Sequence, residues 1–132
     1  MSVTEKISKS LKTAKMHLEN LTNALGKRDE NSFAYGVWHL AAELEYALFL
    51  FSVTIQSESE SAKWKPNPEV KSMETEPILT NIRSLLSDAE KFLIKGNLHE
   101  AYRSAYAARH YALRIQENLA KKKREALKRK QQ

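Results

Sequence analysis

Helix-forming sequence near the C-terminus carries the densest set of residues with chemical potential. Tyr102, Tyr106 and Tyr111 are interleaved with Arg103, Arg109 and Arg114, so rings that stack on bases alternate with guanidinium groups that hold phosphates. The same tyrosines also suit the half-buried rim of a helical core, with their hydroxyls in water. Directly after them the chain becomes strongly basic: Lys121, Lys122, Lys123, Arg124, Lys128, Arg129 and Lys130, against a single acid, Glu125. This segment, residues 121–132, accounts for the whole formal net charge of +6, and residues 1–120 are balanced. The basicity is therefore a property of a tail and points to a polyanionic or acidic partner. Arg103 and His110 are seven residues apart, two helical turns, and so point the same way.

Composition removes many other chemistries. The chain has no cysteine, which excludes disulfides, thiolate metal sites and thiol nucleophiles and fits a reducing compartment. Three glycines, Gly26, Gly36 and Gly96, are too few and too scattered for a phosphate-binding loop. None of His17, His39, His99 and His110 follows a glutamate by three residues, the spacing a di-iron bundle requires, and no metal or other cofactor is expected. The most apolar run, Leu40 to Ile55, includes Glu43 and Glu45 and is shorter than the roughly 20 residues of a membrane span. Met1 to Ser10 lacks an apolar stretch of signal-peptide length, so the expected setting is the cytoplasm, away from membranes.

The elements that must position these residues are four amphipathic helices. Ser2 and Glu5 have capping-box spacing, and Ile7, Leu11, Ala14, Leu18, Leu21 and Leu25 recur in steps of four and three up to Gly26. A second series follows Asp29: Ala34, Val37, Ala41, Leu44, Leu48, Phe51 and Ile55, with Phe33, Leu40 and Ala47 widening its apolar face. From Ser57 to Glu76 the periodicity fails, with Pro66 and Pro68, which marks a linker or a functional loop. Pro77 suits the first turn of a third helix through Ile78, Ile82, Leu85, Leu86, Ala89, Phe92 and Leu93 to Gly96. Asn97 and Glu100 start the fourth, whose seam is Leu98, Ala101, Ala105, Ala108, Ala112, Ile115 and Leu119. The fold expected is all-α: an antiparallel four-helix bundle over residues 1–120, made of two helical hairpins, with residues 121–132 as a basic helical extension. Sliding the chain by 71 residues matches Ala34, Tyr35, His39 and Ala41 to Ala105, Tyr106, His110 and Ala112, which suggests that the hairpins are duplicates.

The layout of two hairpins, the segment Trp38-His39-Leu40-Ala41-Ala42-Glu43, and Arg103 with His110 as an R-x(4 to 6)-H pair together resemble the HEPN superfamily of small helical bundles. That resemblance implies a homodimer in which paired Arg103 and His110 cleave RNA across the interface, the histidine in acid-base chemistry and the arginine stabilising phosphate charge. Ser104 and Tyr111 depart from the family's preferred neighbours of that pair. Three functional expectations result. The leading one is a non-enzymatic module that binds nucleic acid, RNA or DNA, or a nucleoprotein complex, through Lys121, Lys122, Lys123, Arg124, Lys128, Arg129 and Lys130 with Arg109 and Arg114. The others are a metal-independent ribonuclease using Arg103 and His110, and an adaptor that docks a protein through the 57–76 segment and Trp64.

Overall fold

A computed structural model describes residues 2–55 and 74–130 of the chain. Four helices account for nearly all of them: α1 (Val3–Gly26), α2 (Glu30–Ile55), α3 (Thr75–Ile94) and α4 (Leu98–Lys130). The fold is an all-α four-helix bundle, in which α1 packs on α2 and α3, and α4 packs on α3 and α2. Cross-helix pairs give the directions. Lys15 with Glu90 (2.9 Å) and Glu19 with Arg83 (3.0 Å) run α1 against α3. Phe51 with Tyr102, Glu45 with Arg109 and Glu30 with Lys122 run α2 against α4. Every neighbouring pair is therefore antiparallel, and α2 is parallel to its diagonal partner α3. Ile55 and Thr75 consequently lie at opposite ends of the bundle. The 57–76 segment falls outside the described residues except for its last three, of which Thr75 and Glu76 open α3.

Local sequence explains the helix ends. The Ser2 side chain accepts the Glu5 N–H at 3.1 Å and so caps α1. Asp29 accepts the Ser32 N–H at 3.1 Å and its hydroxyl at 2.7 Å, while Asn97 accepts the Glu100 N–H at 3.4 Å. Pro77 sits in the first turn of α3, where a missing N–H costs no helical hydrogen bond.

The two inter-helix turns are the same structure. In one, Arg28 is left-handed at φ 57°, and in the other Gly96 occupies the matching place at φ 77°. Asp29 N–H reaches Ala24 at 2.9 Å, and Asn97 N–H reaches Phe92 at 2.8 Å. Asp29 thus maps to Asn97, 68 residues on, and the same shift carries Gly26 to Ile94 and Glu30 to Leu98, the ends of the flanking helices. The buried set of α4, Ala101, Ser104, Ala105, Ala108, Ala112 and Ile115, falls on Phe33, Gly36, Val37, Leu40, Leu44 and Ala47, all buried in α2. The duplicate expected from sequence is present in the architecture, but with a shift of 68 rather than 71. His39 is the counterpart of Ala107, and His110 the counterpart of Ala42. Ala34, which the step pattern of the second helix places on its apolar face, is exposed.

One core fills the bundle, with Phe51, Ile7, Leu11, Leu18, Leu21, Leu40, Leu44, Ile78, Ile82, Leu86 and Ile115 among its fully buried members. Ser10 and Ser104 are its buried polar residues among those described, and Ser10 donates to the Glu43 carboxylate at 2.8 Å. Gly36 lets α1 and α2 approach closely: a Cβ there would lie 2.7 Å from Leu21 Cβ. The seam of α4 is alanine-rich for the same reason, since small side chains leave little between backbones.

Candidate nucleic-acid interface

α4 has 33 residues, about 50 Å, against 24 residues in α1. Its last buried residue is Ile115, and from Ala120 to Lys130 every residue is exposed. Lys122 lies beside Glu30, at the start of α2, so the turns beyond it project past the end of the bundle. The arm stays helical without packing because it contains no glycine, proline or β-branched residue, places Glu117 four residues before Lys121 and Glu125 four before Arg129, the spacing that favours a helix, and ends in basic residues that complement the helix dipole.

The basic residues of the arm surround the helix rather than forming a single face. Lys121, Arg124 and Lys128 share one side, Lys122 and Arg129 a second, and Lys123 and Lys130 a third. The first of these continues back along the bundle. Arg103, Tyr106, His110, Arg114, Glu117, Lys121, Arg124 and Lys128 follow one another in steps of three and four, on the side of α4 opposite its alanine seam. This line spans 26 residues, about 37 Å from first to last. Within it Arg103 is paired with Glu100 at 3.2 Å and Arg114 with Glu117 at 3.3 Å, both at exposed positions where such pairs are weak and easily exchanged.

Arg109 is elsewhere. It points toward α2 and binds Glu45 across the helix interface, a structural tie to the neighbouring helix. The three tyrosines are all partly buried against the core, and Tyr102 meets Phe51 edge-on at 6.0 Å. Only Tyr106 occupies a position on the basic line, and its ring stacks on His110 at 4.7 Å.

Arg103 and His110 differ in environment. Arg103 is exposed, whereas His110 is half-buried, its Nε2 covered and without a hydrogen-bond partner among the described residues. Burial, and secondarily the nearby Arg109 charge, push the His110 imidazole below the usual histidine value. The ring is held neutral where an exposed one would begin to take up a proton.

A second surface, absent from the expectations above, lies on α2. On α2, Tyr35, Trp38, Ala42, Tyr46, Phe49 and Val53 are all exposed on the side away from the core. The signal was present: these residues also recur in steps of three and four, between the buried rows. At the N-terminal end of this stripe an open groove of about 540 Å³ is lined by His17, Asn20, Asn31, Ser32, Tyr35, Gly36 and His39. His39 stacks there on Tyr35 (4.2 Å) and His17 (5.4 Å). No three or more His, Asp or Glu side chains converge as metal ligands among the described residues. None of the described helices is long and apolar enough to cross a membrane. Comparisons of the chain with protein-family models, curated proteins and solved structures give no match.

Proposed function

We propose that the protein is a nucleic-acid-binding module, acting on free nucleic acid or within a nucleoprotein assembly, with α4 as its binding element. One observation supports this most: the basic arm is continuous with a basic line on the outer face of the bundle, so Arg103, Arg114, Lys121, Arg124 and Lys128 can follow one phosphate backbone. Arms with cations on every side engage phosphates without fixing an orientation, which favours electrostatic binding over base readout. Tyr106 adds one ring on which a base can stack.

Anisotropy measurements with labelled single-stranded RNA, single-stranded DNA and duplex DNA test this reading. If about four phosphates of a single strand are neutralised, log affinity falls with log salt at a slope near −3, roughly a 50-fold loss between 50 and 200 mM. A chain ending at Ala120 should show a flatter slope and little binding. Equal binding by the two chains would refute the reading.

A ribonuclease of the HEPN type is the second reading, and the position of His110 favours it: strand held along the basic line would pass Arg103 and His110, although the covered His110 Nε2 would have to turn outward to reach it. In that case His110→Ala abolishes RNA cleavage and leaves affinity nearly intact, because binding rests on the arm. Purified protein that leaves RNA whole over hours would exclude it.

A further inference from the structure

We infer that a second copy of this chain covers the outer face of α2, the two α2 helices packing antiparallel across a twofold axis. The shift of 68 that relates the hairpins sends Tyr35, Trp38, Ala42, Tyr46, Phe49 and Val53 to Arg103, Tyr106, His110, Arg114, Glu117 and Lys121. At five of these six positions the same frame carries a charged or imidazole side chain in α4 and an aromatic or aliphatic one in α2, and the sixth sets Trp38 against Tyr106. The bundle does not require the apolar version, so its presence calls for an occupant.

The area matches a dimer. Tyr35 is 68% exposed, Trp38 64%, Tyr46 46%, Phe49 62% and Val53 48%. With aromatic side chains of about 200 Å² each, these residues present roughly 500 Å² of apolar surface. That is the upper range of patches on monomers, and with a polar rim it approaches the ~800 Å² that each partner contributes to a stable interface.

Chemistry narrows the choice of occupant. α2 contains no lysine or arginine, which disfavours both phosphate backbones and anionic lipid surfaces, where basic flanks assist binding. Glu45, the acid bordering the stripe, is tied down by Arg109 of its own chain. What remains is an uncharged apolar surface, and the stripe itself is one. Its midpoint lies at the level of Leu44, and antiparallel pairing about that level sets large residues against small ones: Tyr46 faces the Ala42 of the second copy and Tyr35 faces its Val53, each contact occurring twice, while Trp38 lies beside the second Phe49. Steps of three and four are the spacing that lets two helices interlock side by side along their length. In such a dimer the two basic arms leave from opposite ends, because each arm passes the N-terminus of its own α2. The dimer itself does not rest on the nucleic-acid reading, and its test uses none.

The test is the mass in solution, by light scattering or sedimentation from about 1 to 100 µM, where interfaces of this size dissociate. The full chain should approach twice its 15.2 kDa at the upper end. Phe49→Glu, which installs the residue that α4 carries at the equivalent position, should return the mass to that of one chain with the helical circular dichroism unchanged. Tyr46→Arg installs the Arg114 counterpart and should do the same. Because the chain has no cysteine, a nitroxide on Asn31→Cys reports the register: about 40 Å between copies when antiparallel, under about 20 Å when parallel. A chain that stays monomeric at 100 µM, a dimer indifferent to both substitutions, or the short label distance would each overturn the proposal.

Discussion

The outer faces of α2 and α4 occupy equivalent places in two equivalent hairpins, yet one reads Tyr-Trp-Ala-Tyr-Phe-Val and the other Arg-Tyr-His-Arg-Glu-Lys along the same six positions. Inward, the frames agree, and every buried position of α4 is buried in α2. The constraint of a shared core holds the inner faces to apolar residues, while the outer faces, free of that constraint, have gone to opposite extremes. Divergence of this kind separates what the bundle needs for folding from what it offers to partners.

The comparison is tested most severely in the core. Leu40 and Ala108 are equivalent and fully buried, and the two hairpins have divided the volume unequally. Leu40→Ala should cost about 2 to 5 kcal/mol, measured by urea denaturation, because it leaves a cavity. Deleting residues 121–132 should leave that stability almost unchanged, since all described residues of the arm are exposed, and should weaken single-strand binding by roughly 50-fold or more at low salt. Loss of both stability and binding would show that the arm packs on the bundle. In the opposite direction from Leu40→Ala, Ala108→Leu should cost about 1 to 3 kcal/mol through overpacking, and a neutral result would place Ala108 outside the tight seam.

Smaller effects sharpen the equivalence of the turns. Arg28 holds the left-handed position that glycine holds at 96, so Arg28→Gly should stabilise the protein by up to about 1 kcal/mol, and Gly96→Ala should destabilise it by a similar amount. Matching changes of the same sign would break the correspondence between the two turns.

The least of the expected effects is at His110. Its folded pKa is lowered by burial and then by Arg109, so between that lowered value and the ordinary 6.5 the unfolded chain binds the extra proton. The stabilising contribution of the neutral ring is present above 6.5 and is lost as pH falls through the folded pKa. His110→Gln should reduce the drop in stability between about pH 7 and pH 5. Titration of the His110 ring by NMR should show a midpoint below that of an exposed histidine, and a midpoint at or above 6.5 would contradict its half-buried setting.

Much of the fold is legible in the sequence because its causes are local. The step pattern of Ile7 to Leu25, the Ser2 cap and the Asn97 cap each act within a few residues, and all appear where the sequence places them. The duplicate was legible only in part. A pattern in steps of three and four looks nearly the same after a shift of three residues, so chance matches of Tyr and His favour 71, whereas the caps fix the shift at 68. The basic residues of the arm were evident from charge alone. Arg109 belongs with them by charge but not by position, because a sequence lists cations without saying which helix each one faces.

Composition and periodicity by themselves determined four helices, two short turns and a basic end, since each follows from spacing along a single chain. Only the tertiary structure decided that the two hairpins meet through α1 with α3 and α2 with α4, that Arg109 ties α4 to Glu45, that His110 loses much of its solvent, and that Tyr35, Trp38, Tyr46, Phe49 and Val53 remain uncovered. The physical reason is that a helix can be apolar on two sides, and its sequence does not record which side the rest of the chain will cover.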